Sequence, residues 1–412
     1  MTDYAKLDAW IDAHFDEEVK FLQELVRVPT DTPPGNNAPH AERTAELIAA
    51  WGFDAEKHAV PAQEVKDYGL ESITNLIVRR PYGSGGRTVA LNAHGDVVPP
   101  GEGWTHDPYG GRIEDGQLYG RAAAVSKSDF ASFTFAVRAL EAVAKPKKGS
   151  VELHFTYDEE FGGILGPGWL LKNQLTKPDL MIAAGFSYEV VTAHNGCLQM
   201  EVTVHGRMAH AAIPATGVDA LQGAVHLLNA LYAQNTLYRQ VASKVEGISH
   251  PYLNVGRIEG GTNTNVVPGK VVFKLDRRMI PEENPAEVEA SIREVIAQAA
   301  AEFETPAGGI EVEVRRILLA HAMQPLPGNK PLVEAIQKHG GELFGQSIPA
   351  MGTPLYTDVR LYGEAGIPGV IYGAGPRTVL ESHAKRNDER LDLEDLRRAT
   401  KVIARTLADL LS

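Results

Sequence analysis

Thr88-Val89-Ala90-Leu91-Asn92-Ala93-His94-Gly95-Asp96 is a mostly apolar run that ends in a histidine, a glycine and an acid. It reads as a short buried strand with polar chemistry at its tip. Val151 to Thr156 reads as a second such strand and runs into Asp158-Glu159-Glu160, and Thr74 to Arg79 reads as a third. Helical apolar spacing marks Leu7 to Val28, Ala41 to Trp51 (with Gly52 as a C-cap) and Phe130 to Ala144. Pro29 to Gly35 breaks the first of these, and Trp104 to Gly120 reads as a turn-rich loop. Strands alternating with helices predict an α/β sheet. Ligands of such sheets gather at the carboxyl ends of the strands, where His94 and the acidic triplet both fall.

The pattern changes near residue 192. Leu198 to His205, Tyr252 to Ile258, Lys270 to Leu275 and Ile310 to Arg315 read as strands, and Val218 to Tyr232 and Pro285 to Phe303 as helices. The order strand, helix, strand, strand, helix, strand suits a small two-layer α+β domain. After Ala320 the α/β style resumes, with a helix from Pro331 to Phe344, a strand at Gly369 to Tyr372 and a closing helix from Leu393 to Leu411. The expected plan is one domain, 1–191 and 319–412, interrupted by a second, 192–318.

A chain of 412 residues exceeds what one core usually serves. Its 43% hydrophobic and 23% charged residues are those of a soluble globular protein. A net charge of −13 without a Lys/Arg cluster argues against nucleic-acid binding. The lone Cys197 excludes an internal disulfide and fits a reducing compartment. Met1 to Phe21 has no signal-peptide core, and no apolar run approaches the roughly 20 residues of a membrane span. The expectation is a cytoplasmic protein with a small-molecule substrate and neither a nucleic-acid nor a membrane partner.

In His94-x-Asp96 the acid can hydrogen-bond the imidazole nitrogen that does not face a metal, which fixes the tautomer. The bland alternative is a polar loop. Adjacent carboxylates at 158–160 repel unless a cation or proton separates them. Neighbouring side chains diverge, so one of Glu159 and Glu160 could bind metal while the other moves protons; the bland alternative is a solvated acidic loop. Ser126-Lys127-Ser128 invites a Ser–Lys nucleophile, but neighbours at a helix start do not face each other.

One ordered series ties these pieces together: His94-Gly95-Asp96-Val97-Val98-Pro99, Trp104-Thr105-His106-Asp107-Pro108-Tyr109, Leu118-Tyr119-Gly120-Arg121, Asp158-Glu159-Glu160, Gly206-Arg207-Met208-Ala209-His210, 260–268 (Gly-Gly-Thr-Asn-Thr-Asn-Val-Val-Pro) and Ser382-His383. From about residue 10 onward the chain resembles the zinc metallopeptidase and deacylase superfamily of acetylornithine deacetylase, succinyl-diaminopimelate desuccinylase, aminoacylase-1 and glutamate carboxypeptidase. The resemblance implies a zinc-exopeptidase-like α/β catalytic domain with an inserted α+β, ferredoxin-like lid that commonly carries the dimer interface, hence a homodimer. It implies His94 as ligand of a first metal, oriented by Asp96, and Glu160 and His383 as ligands of a second. Glu159 would be the general base. His210 and Asn265 would stabilise the oxyanion, Arg278 would clamp a substrate carboxylate, and Gly373 and Gly375 would line the pocket. A strand-edge salt bridge is the bland alternative for Arg278.

Two positions depart from the family's pattern. Gly-Arg-Gly-x-x-Asp-x-Lys-Gly supplies the Asp that bridges both metals; here Arg121 and Lys127 keep the register and the Asp position is Val125. Asp129 lies four residues on and is not expected to reach. The acidic ligand of the first metal falls on Gly185, or on Ala184 when counted back from His194. Two dications a few Å apart without a bridging anion repel by roughly 16 kcal/mol at an effective dielectric near 20. A full two-metal centre is therefore not expected. Two arrangements remain open: one divalent ion (Zn, Mn or Co) on His94, Glu160 and His383, or no metal, with Asp96, Glu159, Lys127 and the histidines doing proton chemistry. The first suits an amide hydrolase acting on a small carboxylate-bearing N-acyl amino acid or dipeptide. The second suits a metal-independent isomerase, lyase or ring-opening enzyme on an amino-acid-like substrate. A non-catalytic family member is the third reading.

Overall fold

The computed structural model describes residues 3–412. The chain forms two compact units. The first runs to Thr192 and resumes as Pro325–Met351 and Thr357–Ser412; the second comprises Ala193–Gln324 and Gly352–Tyr356. The inserted unit ends later than residue 318 because its last strand, Glu311–Ala320, outruns the apolar alternation, and Met323 then pairs back with His194.

Among the described residues, the sheet of the first unit orders its strands Ala55–Ala59, Thr74–Gly83, Gly149–Thr156, Thr88–His94, Leu180–Ala183 and Gly369–Ile371, with Val190–His194 and Ala350–Thr353 at the far edge. Thr88–His94 is parallel to both of its neighbours, and Gly369–Ile371 is parallel to Leu180–Ala183. Every residue from Val89 to His94 is buried, as a strand covered on both faces requires. Helix Lys127–Val143 packs on this layer through Phe130, which stacks on Phe155 with ring centroids 4.1 Å apart.

Local chemistry explains three departures from the sequence reading. The expected helix from Leu7 to Val28 is two helices, Tyr4–Ala13 and Phe15–Val26. The break is at His14, whose ring stacks on Trp10 and whose Nδ1 lies 2.7 Å from the Trp10 carbonyl. The loop at Trp104 to Gly120 contains a hairpin, Arg112–Glu114 with Gln117–Tyr119, joined edge-on by Arg390–Asp392. Its turn is Asp115-Gly116 with φ of 50° and 75°, the Asp-Gly pair favoured in two-residue hairpin loops. Strand Ala55–Ala59 is an edge strand of mixed polarity, which an apolar-run search passes over.

The second unit is an antiparallel sheet in the order Tyr252–Gly260, Lys270–Met279, Gly196–His205, Glu311–Ala320. Leu198, Met200, Val202 and Val204 alternate inward and share a core with helices Ala220–Tyr238 and Pro285–Glu302. Asp219 and Asn284 cap those helices, each side chain accepting from first-turn N–H groups. This is the expected ferredoxin-like α+β order. No helix among the described residues is long and apolar enough to cross a membrane.

A buried acid gives the first unit a pH-dependent stability. Glu18 is fully buried; its Oε1 accepts from Thr400 Oγ1 at 2.6 Å, and its Oε2 has no hydrogen-bond partner. Burial pushes its pKa up to about 8, against the Thr400 hydrogen bond and the Arg138 charge. A carboxyl whose folded pKa exceeds its unfolded one contributes fully below the unfolded pKa, and that contribution is lost as pH rises through the folded one. Glu18→Gln is therefore expected to stabilise at pH 9 by on the order of 2–4 kcal/mol and to change little at pH 4. Urea titrations of both proteins at the two pH values check this; equal shifts at both would refute it.

Candidate active site

Strand register gathers the site. His94 pairs with Thr156, so Asp158 and the acids after it leave the sheet beside the His94 tip. Asn92 pairs with Ala183 and Ile371 pairs with Ala183. Two residues beyond those pairs, Gly185 and Gly373 come level with His94 at the carboxyl ends of adjacent parallel strands.

His94 is held from both sides. Its Nδ1 lies 3.0 Å from the Asp96 carbonyl and 3.4 Å from Asp96 Oδ1, and its Nε2 lies 3.8 Å from Glu159 Oε2. Burial pushes the imidazole pKa down, but the charges of Glu159 and Asp96 outweigh it and carry it up to about 10. Asp96 is fully buried and does more than orient His94: its Oδ1 accepts the Glu159 N–H at 3.2 Å and its Oδ2 the Glu160 N–H at 3.0 Å. One carboxylate thus sets the turn that carries both acids. Burial pushes the Glu159 carboxyl up, and His94 pulls it back.

Ser126, which entered the sequence reading only as a nucleophile, is a clamp. Its Oγ accepts the His94 N–H at 3.0 Å and lies 2.9 Å from the His94 carbonyl. Lys127 donates to the Val28 carbonyl at 2.8 Å, so no Ser–Lys dyad forms. Burial pushes the Lys127 amine down to about 7.

Glu160 faces the C-terminal loop, where Lys385 Nζ lies 2.6 Å from its Oε2. His383 Nδ1 lies 3.1 Å from the Asn387 carbonyl. His383, Lys385 and Asp388 have φ of 55°, 63° and 54°, a left-handed conformation that costs energy in a side-chain-bearing residue. A buried ion pair, Arg121 to Glu389 at 2.7 Å, ties this loop to the 120–125 turn. The other Glu389 oxygen accepts the Ala124 N–H at 3.2 Å.

Both departing positions lie in this neighbourhood. Val125 directly precedes the Ser126 that clamps His94. A Cβ on Gly185 would overlap Ile371 Cγ2, so no acid fits there unless Ile371 moves. Asp129 is buried in the first turn of its helix, and its Oδ1 accepts the Ala374 N–H at 2.7 Å. Burial carries its pKa up to about 8, with the Ala374 N–H and the His94 charge opposing. A Cβ on Gly373 would overlap that same oxygen. The Gly375 N–H donates to the Gly185 carbonyl at 2.8 Å. Both glycines are buried, packed around Asp129 and Gly185.

His210, Asn265 and Arg278 belong to the second unit. Strand Ala209–His210 pairs with Val266–Val267, and the Ala211 N–H donates to the Asn265 carbonyl at 3.0 Å, so exposed His210 and Asn265 share one ribbon. Arg278 Nε lies 2.6 Å from Asp276 Oδ1, and the guanidinium lies 5.4 Å from the Tyr356 ring centroid.

The profile of peptidase family M20/M25/M40 matches residues 90–409. The chain belongs to this family. It is 27% identical over 402 residues to a succinyl-diaminopimelate desuccinylase of Methylobacterium nodulans, covering 93% of this chain and 94% of that one. To an acetylornithine deacetylase of Myxococcus xanthus it is 29% identical over 398 residues, covering 94% and 96%. The Bacillus subtilis YXEP protein, described as a dinuclear metal binding peptidase of the M20 family, shares the fold with a TM-score of 0.68, 18% identity and coverage of 97% and 99%. The chain is an M20-family hydrolase.

M20 enzymes depend on metal, which makes the donor set of this chain a test. Among the described residues, no group of three or more His, Cys, Asp or Glu side chains is arranged to hold a metal ion. His94 lies between two carboxylates, and Glu160 is paired with an ammonium. A dication needs anionic or neutral donors free to face it. This arrangement does not fit one.

Proposed function

We propose that this chain hydrolyses the amide bond of a small, carboxylate-bearing N-acyl amino acid or dipeptide, with Glu159 as the base. The observation that carries the reading is the seat of Glu159, fixed through its backbone by buried Asp96 and facing His94 Nε2 at 3.8 Å. Glu159 takes a proton from water as the water oxygen attacks the amide carbon, then delivers that proton to the departing nitrogen. His210 and Asn265 stabilise the developing oxyanion, and Arg278 exchanges Asp276 for the substrate carboxylate. The desuccinylase and deacetylase relatives support an N-acyl amino acid as the substrate class. A single ion on His94, Glu160 and His383 would need Lys385 to leave Glu160.

The test is amine release from a panel of N-acetyl and N-succinyl amino acids and dipeptides. With the best substrate, Arg278→Ala is expected to raise KM about 10- to 100-fold with kcat little changed, the loss of a charge-assisted contact. The Lys385–Glu160 pair favours a second reading, proton abstraction at carbon without an ion, as in isomerisation, elimination or ring opening. Deuterium uptake from heavy water into an amino-acid-like substrate, with no amide cleaved, would select it.

The same proposal includes a homodimer through the second unit. Leu221, Val225 and Tyr232 are exposed at helical spacing on Ala220–Tyr238, and Tyr252–Gly260 is an edge strand with an exposed C-terminal half. Leu221→Glu with Val225→Glu is expected to shift the sedimentation coefficient to that of a monomer.

A further inference from the structure

We infer that Lys385 occupies the place on Glu160 that a metal ion takes in M20 relatives, so that a side-chain ammonium stands where a cation would bind and the centre excludes divalent cations. The pairing is close, 2.6 Å from Nζ to Oε2. It is also built at a conformational cost, since Lys385 itself sits at φ 63° in a loop whose His383 and Asp388 share that left-handed backbone. The Lys385 side chain is half exposed, whereas the Glu160 carboxylate it meets is nearly buried. The loop is anchored by the buried Arg121–Glu389 pair, so the ammonium is presented from a fixed base. On the other side of the turn, His94 faces Glu159 and Asp96.

The missing acids agree with this arrangement. Val125 removes the anion that would bridge two ions, and at Gly185 the space for a side chain is filled by Ile371. Each change lowers the negative charge available to a dication, and Lys385 adds a positive charge at the carboxylate that remains. His383, with Nδ1 on the Asn387 carbonyl, would be left as the one other donor on that side.

The inference rests on donor geometry and not on the substrate, so it can stand or fall whether or not the amide panel is cleaved. The full chain is stripped with a chelator, incubated with Zn or Mn, passed through a desalting column and measured for bound metal by mass spectrometry, with titration calorimetry alongside. Wild type is expected to retain less than about 0.1 equivalent, and Lys385→Ala to bind Zn at least about tenfold more tightly. Lys385→Arg keeps the charge and is expected to exclude metal as wild type does, and melting curves show whether each variant is folded. Wild type holding about one equivalent that His94→Ala or Glu160→Gln abolishes would overturn the inference. So would unchanged Zn affinity in folded Lys385→Ala.

Discussion

Glu159→Gln is expected to lower kcat by about 100- to 10,000-fold while leaving KM within a few-fold, the loss of a general base that does not bind the ground state. The substitution preserves the fold of the turn. Asp96 holds residue 159 through its backbone N–H at 3.2 Å, and that bond does not depend on the side chain. What changes is the proton acceptor, because an amide oxygen cannot take a proton from water at neutral pH. A second readout separates this role from simple packing. Glu159 is the largest of the charges that hold the His94 pKa up. In Glu159→Gln the His94 imidazole should therefore titrate at lower pH, visible by NMR. Asp96→Ala should act differently, because it frees the N–H groups of both Glu159 and Glu160 and so disorders the turn. A Glu159→Gln enzyme within threefold of wild-type kcat, on a substrate cleaved by the wild type, would remove Glu159 from the chemistry.

Much of the site was legible because it is written in strand ends. The apolar runs before His94 and before Asp158 specify buried parallel strands, and parallel neighbours bring their carboxyl ends together. Arg121 and Lys127 let the position of Val125 be counted across the 120–127 turn, and the strand pairing ends at Asn92 with Ala183, just before Ala184 and Gly185. Lys385 was not legible. Its partner Glu160 is 225 residues away, and the contact depends on a left-handed loop whose residues carry no glycine to announce it. Asp129 was discounted for reach to a metal; its contact with the Ala374 N–H follows from the turn after Ile371, which no periodicity describes. The Asp115-Gly116 hairpin, by contrast, carried a readable signal.

Arg121→Ala is expected to destabilise the first unit by about 3–5 kcal/mol, the cost of leaving a buried carboxylate without its partner. Arg121 and Glu389 side chains are each 2% exposed, and the 2.7 Å contact is supported by the Ala124 N–H on Glu389 and by Pro100 and the Trp104 ring on Arg121. Burial pushes the Glu389 carboxyl up, and Arg121 is the main group pulling it back. Without Arg121 that carboxyl must bind a proton or stay charged in a dry site. The stability gap between Arg121→Ala and wild type should therefore widen as pH rises above the ordinary carboxyl range, because removing Arg121 raises the folded Glu389 pKa further while the unfolded chain ionises freely. Glu389→Gln combined with Arg121→Met should cost less than the sum of the two single changes, because neither then leaves a charge behind. The loop that presents His383 and Lys385 hangs from this pair, so Arg121→Ala should also loosen the Lys385–Glu160 contact and raise Zn uptake while the protein remains folded. Denaturant titrations across that pH range, scored on the first unit's transition, decide the matter. A cost below about 1 kcal/mol, flat with pH, would mean that the pair behaves as a solvated surface bridge and that the loop is anchored elsewhere.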